Sequence, residues 1–146
     1  MDDPIVASAL PASLAGRALR YVEIVTAIAG RAMLPEHTAA AWNELTPLVA
    51  TDEFLLVGRS KQKLDWPAAI SGMDRWARAT VFSSTVRRLE EVDRLVFMEL
   101  DERTTVEGQT TSHQTMTVYE FDAAGKLRRL DAFQLSRGAR CGEWKP

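Results

Sequence analysis

Two side chains in the second half of the chain, His113 and Glu102, could move a proton. Histidine titrates near neutral pH and serves as either a general acid or a general base. Both residues lie in segments that alternate as strands do, and pairing these strands about a glycine turn puts Thr104 opposite His113 and Thr115 opposite Glu102. Glu102 would then orient the imidazole directly or through water. The alternative is a histidine near the open hairpin end that only hydrogen-bonds a threonine.

Tyr21 is the third candidate, as a hydrogen-bond donor to a substrate carbonyl or hydroxyl. A tyrosine on an amphipathic helix also commonly packs with its hydroxyl at the rim of the core. The role of Glu102 depends on burial: among apolar residues it would suit a catalytic acid, whereas at the mouth of a pocket it would only be solvated.

We expect a pocket beside these groups, lined by aromatic side chains and by one face of the strands. Trp42, Trp76 and Phe82 could form its aromatic walls, although ordinary core packing is the favoured interpretation for these three residues. No metal or cofactor is expected, because the sequence has no ligand spacing for a metal and no glycine-rich phosphate loop. The predicted lining is Trp42, Trp76, Phe82, Met98, Leu100, Thr115, Thr117 and Tyr119.

Three helices and a set of strands must position this pocket. The first helix should begin near Pro11 and Ser13 and end at Gly30, because apolar residues recur between them at helical spacing. A second helix follows Pro35, where His37 is expected to be exposed. The third should start at an Asp65 cap. A short buried strand is predicted over 53–58, and an antiparallel meander over 81–89, 95–106, 112–121 and 126–135.

The last strand can pair in two registers, because a slip of one residue reverses every side chain. A four-residue loop would place Leu130, Ala132 and Gln134 on the pocket face, and we expect this register. A loop one residue shorter would turn Asp131 and its neighbours inward instead. The opposite face of the meander combines charges with apolar residues such as Phe97, Met116 and Val118.

Composition restricts the class of protein. The chain has 146 residues, 46% of them apolar, with 18 Lys and Arg against 20 Asp and Glu. These values predict one domain over 1–146, with a loose arm at 1–10 and a polar tail at 136–146, and argue against nucleic-acid binding and membrane insertion. The N-terminus lacks a basic leader, so we expect a cytoplasmic protein. Cys141 is the single cysteine and predicts neither a disulfide nor a zinc site.

Two segments resemble the nuclear transport factor 2-like superfamily, which includes ketosteroid isomerase, scytalone dehydratase, limonene epoxide hydrolase and the SnoaL-like polyketide cyclases. They are Ala-Leu-Arg-Tyr-Val-Glu-Ile-Val at 18–25 and Val-Tyr-Glu-Phe-Asp-Ala-Ala-Gly-Lys-Leu at 118–127. The resemblance implies an α+β, cystatin-like cone, in which a curved antiparallel sheet wraps around three helices. It also places the isomerase's catalytic tyrosine on Tyr21. The isomerase's aspartates are missing, since 55–58 holds no carboxylate and the second position is Thr117.

The expected function is therefore that of a SnoaL-like protein binding a small apolar or aromatic molecule. As a cofactor-free isomerase, dehydratase or cyclase, it would use His113 to move a proton, Glu102 to orient His113 and Tyr21 to polarise an oxygen. The resemblance further implies a homodimer formed through the outer sheet face. A non-catalytic ligand-binding or dimerisation module and a subunit of a larger assembly remain alternatives.

Overall fold

The helices begin and end close to the predicted positions. The structure is a computed structural model that describes residues 10–58 and 61–137. Helix α1 spans Leu14–Ala29 and α2 spans Trp66–Ala79. Ser13 caps α1 by accepting a hydrogen bond from the Gly16 amide at 2.9 Å, and Asp65 caps α2 by accepting from the Ala68 amide at 3.0 Å.

The element between them is a 3₁₀ helix, Ala39–Leu48, rather than an α-helix. Pro47 lies in its last turn, where the missing amide hydrogen prevents a regular helix from continuing. Trp42 and Leu45 are buried, as the apolar spacing indicates.

The sheet has six strands and is mixed, which corrects the expectation of a purely antiparallel sheet. The short first strand lies parallel to the last one, and a two-residue strand that was not predicted extends the sheet beyond it. The strand order is β2-β1-β6-β5-β4-β3. The strands are β1 (Leu55–Val57), β2 (Lys63–Leu64), β3 (Val81–Val92), β4 (Leu95–Val106), β5 (Gln109–Phe121) and β6 (Leu127–Arg137).

The register of β4 and β5 differs by two residues from the predicted one. The turn is formed by Glu107 and Gly108, with φ values of 52° and 82°, as a two-residue hairpin loop requires. Glu102 is therefore opposite His113, and Leu100 is opposite Thr115. A shift of two preserves the faces, so the predicted inner and outer residue sets are unchanged.

The last strand turns the expected residues inward, but its register against β5 is shifted by two residues from the expected one, in which Thr117 would lie opposite Leu130. Tyr119 is opposite Leu130 and Thr117 is opposite Ala132, which places both partners on the inner face. Asp131 pairs with Val118 on the outer face.

The core lies between the inner face of the sheet and the helices. Its largest fully buried side chains come from the 3₁₀ helix, α1 and strands β4 and β6. Among the described residues, no helix is long and apolar enough to cross a membrane. The polar tail from 138 onward, with Cys141, and all but Leu10 of the predicted arm lie outside the described residues. The fully buried large side chains are Trp42, Ile28, Leu45, Met98, Leu127 and Val96.

Candidate functional site

A cavity of about 450 Å³ lies between the inner face of the sheet and the helices α1 and α2. Its size is in the range of small-molecule sites, and its wall is mostly apolar. The structure places eight of the predicted site residues on this wall: Tyr21, Trp76, Phe82, Leu100, Glu102, His113, Thr117 and Tyr119.

Glu102 and His113 lie on the part of the wall nearest the β4–β5 hairpin. Along β4 the exposed fraction rises from 4% at Leu100 to 43% at Val106, so the wall becomes more exposed toward this hairpin. Both residues are half-buried. As directly opposed residues of an antiparallel pair, they have neighbouring Cβ atoms on the same face. The structure thus brings the predicted acid and imidazole together more directly than the predicted register did.

The deeper end of the cavity contains Tyr21 from α1 and Tyr119 from β5. Their rings meet edge to face, with centroids 5.9 Å apart. Burial raises the pKa of Tyr21, while burial, followed by the charges of Tyr21 and Glu102, raises the pKa of Tyr119. Both phenols are therefore protonated across the physiological range and can act as hydrogen-bond donors.

The side wall carries Trp76 of α2 and Phe82 of β3. Their rings pack edge to face at a centroid distance of 5.1 Å. Both residues line the cavity, and Trp76 also packs against the hydrophobic core.

Three predicted lining residues, Trp42, Met98 and Thr115, belong to the buried core instead. Trp42 faces α2, where its indole nitrogen donates to Asp74. Met98 shares the inner face with Tyr119, whose ring lies on the cavity wall in front of it. Thr115 is opposite Leu100, and its hydroxyl oxygen has no hydrogen-bond partner among the described residues. Strand alternation correctly assigned Met98 and Thr115 to the inner face of the sheet, but the cavity covers only part of that face.

His37 is buried, which corrects the expectation of exposure. Its side chain is 2% exposed, and its Nε2 lies 2.7 Å from Asp74 Oδ1. Asp74 also accepts from Trp42 Nε1 at 2.9 Å and from Arg78 Nε at 2.8 Å. A carboxylate only accepts, so Nε2 carries the proton. We call Asp74 with its three donors the Asp74 cluster; it joins the 3₁₀ helix region to α2 away from the cavity.

The pKa of Asp74 reflects two opposing effects. Burial alone would raise it, but the hydrogen bonds from His37, Arg78 and Trp42 and the charge of Arg78 outweigh burial and hold the pKa well below its usual range. The carboxylate is thus ionised throughout the neutral pH range and accepts hydrogen bonds from side chains of the 3₁₀ helix region and of α2.

Further lining residues were not among the predicted catalytic or lining residues, although Leu130 was expected on the pocket face. Most are apolar neighbours of predicted positions, and helical spacing from Tyr21 or Trp76 could have found those on the helices. Within the described residues, no group of three or more acidic, histidine or cysteine side chains could hold a metal ion. The additional wall residues are Val22, Val25, Thr26, Leu56, Met73, Thr80, Thr104, Val106 and Leu130.

Comparison with solved structures identifies the fold. A nuclear transport factor 2-like protein of unknown function from Cytophaga hutchinsonii superimposes with a TM-score of 0.60 at 11% identity, covering 84% of this chain and 90% of the other. The chain has the nuclear transport factor 2-like fold. No protein-family model and no curated protein matches the sequence.

Two further solved structures superimpose on the chain with similar scores. A candidate SnoaL-like polyketide cyclase from Jannaschia sp. CCS1 has a TM-score of 0.58 at 13% identity, covering 80% of this chain and 85% of the other. An LEH-like epoxide hydrolase from M. tuberculosis has a TM-score of 0.56 at 12% identity, covering 75% and 84%. At these identities the likeness concerns the fold, and function must be argued from the cavity.

Proposed function

We propose that the protein binds a small apolar molecule in the inner-face cavity and transfers a proton on it without a cofactor. The observation that carries the proposal is the direct opposition of Glu102 and His113 on the wall of an otherwise mostly apolar cavity. The reaction class is isomerisation, dehydration or cyclisation. The cyclase and epoxide hydrolase of the same fold support a role of this general kind.

His113 is the base in this proposal. Its imidazole takes a proton from the carbon next to a ligand carbonyl. The C–H electron pair forms a carbon–carbon double bond, and the π pair of the carbonyl moves onto its oxygen to give an enolate. The carboxylate of Glu102 stabilises the imidazolium that forms, and Tyr21 donates a hydrogen bond to the oxygen that gains charge. Return of the proton to a different atom, or loss of a leaving group, completes the reaction.

Deuterium exchange tests this step without knowledge of the natural substrate. The protein is incubated in D₂O with 1-tetralone, a bicyclic ketone, and loss of the α-proton signal is followed by NMR. We expect exchange above the buffer rate, a loss of about 100-fold in His113→Gln, and a loss of about 10-fold in Glu102→Gln. Ser112→Ala, on the outer face beside His113, is the matched control and should retain the full rate.

Two results would overturn parts of the proposal. Binding of the ketone without exchange would favour a non-catalytic ligand-binding protein. Exchange that persists in His113→Gln would remove His113 as the base.

We further propose that the protein forms a homodimer through the outer face of the sheet. Phe97, Met116, Val118 and Phe133 form an apolar patch there, with Phe97 opposite Val118 and Met116 opposite Phe133. Phe133 is 47% exposed, which is high for a large apolar side chain. Sedimentation should give a dimer for the protein, a monomer for Met116→Glu, and a dimer for Ala123→Glu on an exposed turn. A monomeric parent protein would contradict this proposal.

A further inference from the structure

Thr115 has a buried hydroxyl on the same strand as the proposed base. The residue is 5% exposed, and its Oγ1 has no hydrogen-bond partner among the described residues. A buried hydroxyl that stays without a partner is costly, and in folded proteins an ordered water commonly pairs with such a group. A buried water itself needs about two to four polar partners, so its position depends on the polar side chains around Thr115.

Two polar side chains lie next to Thr115 on the inner face of the sheet. His113 precedes it by two residues on β5, and Gln134 lies directly opposite it on β6. Alternate residues of a strand are about 6.5 Å apart, which is too far for a direct hydrogen bond between parallel side chains. That separation is close to the span of two hydrogen bonds through one water, and the Nδ1 atom of His113 is itself buried.

The ladder between β5 and β6 is interrupted at the same place. The register shifts between Gln114 and Thr115, and Leu135 of β6 is the extra residue of a bulge. A bulge leaves backbone polar groups outside the ladder, and these groups need other partners. The buried hydroxyl and the bulge are thus two separate observations that favour a water beside Thr115.

We propose that the Thr115 hydroxyl binds a buried water that accepts a hydrogen bond from His113 Nδ1, which makes Thr115 a positioning residue for the proton transfer. Because Nδ1 is buried, the nitrogen that faces a ligand in the cavity is Nε2. Nε2 is a base only when the proton of the neutral ring is on Nδ1, and an acceptor at Nδ1 stabilises that tautomer. This role rests on the proposed function, since it assigns the group that prepares His113 to act as the base.

The same water stabilises His113 before and after it takes the proton. In the neutral ring the water accepts from Nδ1 and donates to Thr115 Oγ1, and its second hydrogen suits an acceptor such as the side-chain oxygen of Gln134. Once Nε2 is protonated, Nδ1 still donates to the water, and the positive charge strengthens that hydrogen bond. Thr115 therefore favours proton uptake at Nε2 without contacting the ligand.

The tautomer of His113 can be measured by ¹⁵N NMR of the imidazole nitrogens. The spectra are recorded on the labelled protein at about pH 8.5, two units above the usual histidine pKa. The chain contains two histidines, and His37 is the internal reference because its Nε2 donates to Asp74 and carries a proton. For His113 we expect the opposite tautomer, with the proton on Nδ1.

Thr115→Val keeps the shape of the side chain and removes the hydroxyl. It should shift His113 toward protonation at Nε2 and slow deuterium exchange of 1-tetralone by about 2- to 10-fold, the value of one hydrogen bond. Thr115→Ser keeps a hydroxyl and should restore both properties. Thr111→Val is the matched control, because Thr111 is equally far from His113 on the same face but is exposed, and its replacement should change neither property.

The melting temperature separates a hydrated hydroxyl from a dry one. A dry, unpaired hydroxyl destabilises the fold, so its replacement in Thr115→Val would raise the melting temperature. Loss of a hydrogen-bonded water should lower it instead. A crystal structure of the unmodified protein covers the case in which a variant does not fold, and it should show a water within hydrogen-bond distance of both Thr115 Oγ1 and His113 Nδ1.

Three results would overturn the role of Thr115 and leave the proposed function intact, provided that the parent protein exchanges 1-tetralone. They are a higher melting temperature in Thr115→Val, a His113 tautomer that this substitution does not change, and a crystal structure with another group in place of the water. If the parent protein catalyses no exchange, the proposed function is overturned, and the role of Thr115 in proton transfer with it.

Discussion

The Asp74 cluster gives a stability prediction that depends on partners distant in sequence. We consider Asp74→Ala, which removes the carboxylate that accepts from His37, Trp42 and Arg78. Because the cluster joins the 3₁₀ helix region to α2, its loss should weaken the packing of the helical layer as a whole. Asp74 itself does not line the cavity.

The magnitude follows from the burial of the three donors. The side chains of Trp42 and His37 are buried, and the Asp74 carboxylate is only 15% exposed. A buried donor left without an acceptor costs about 1–3 kcal/mol, so these two together cost about 2–6 kcal/mol. Arg78 is nearly half exposed and regains water, so we assign it no cost. The free energy of unfolding should fall by about 4 kcal/mol, a large part of the stability of a domain of this size.

Urea denaturation followed by tryptophan fluorescence measures this change at neutral pH. Asp74→Asn should lose less, because its amide oxygen can still accept from Trp42 and His37. Asp52→Asn changes an exposed carboxylate and is the control. Its free energy of unfolding should stay within about 0.5 kcal/mol of that of the parent protein. If Asp74→Ala lowers the free energy of unfolding by less than about 1 kcal/mol, the claim that the buried donors of His37 and Trp42 are costly to leave without an acceptor is refuted.

Acid adds a second, independent readout. The pKa of Asp74 is lower in the folded protein than in the unfolded chain, so its contribution to stability is complete above the unfolded pKa of about 3.9 and is lost as the pH falls below it. Melting temperatures should therefore drop more steeply below about pH 4 in the parent protein than in Asp74→Asn. Parallel curves for the two proteins would show that the carboxylate is not selectively stabilised in the fold.

The tyrosine pair and two glycines give three further predictions. Burial raises the pKa of both Tyr21 and Tyr119, so their contribution to stability is complete below about pH 10 and is lost as the pH rises further. In an alkaline titration, tyrosinate absorbance should appear together with loss of the circular dichroism signal. Ionisation of either tyrosine near pH 10 in the folded protein would contradict this prediction. Gly125 has a φ of 80° and faces the Arg17 guanidinium, so Gly125→Ala should lower the unfolding free energy by about 1–2 kcal/mol. Gly72→Ala lies inside α2, where the added methyl group meets only an Arg75 guanidinium nitrogen at 4.0 Å. It should raise the unfolding free energy by about 0.5–1 kcal/mol, and a loss of stability there would contradict the helix-propensity argument.

Local signals in the sequence predicted the helices and the faces of the strands. The bounds of α2 follow from the Asp65 cap and the apolar spacing after it, and both act within a few residues. Gly108 indicated a turn, although the predicted centre at Gly108 and Gln109 was one residue too late, and alternation assigned the inner residues of β4 and β5, including Glu102 and His113. These signals are local because caps, turns and side-chain alternation depend on neighbouring backbone geometry.

The pairing of distant segments was beyond local signals. Leu55–Val57 is a short apolar run, and nothing in its residues states that it lies parallel to β6. Burial of His37 depends on Asp74, a partner from another helix. The periodicity of apolar residues predicts neither of these two pairings.

The sequence by itself therefore determined which residue types could do chemistry and which face of the sheet would carry them. The tertiary structure decided that Glu102 meets His113, because a register shift of two residues keeps every side chain on its face and yet changes its partner. It also decided that Tyr119 and Tyr21 meet on the cavity wall, while Trp42 and Met98 lie in the buried core. Those outcomes depend on how closely helices from one part of the chain pack against strands from another, which no single segment encodes.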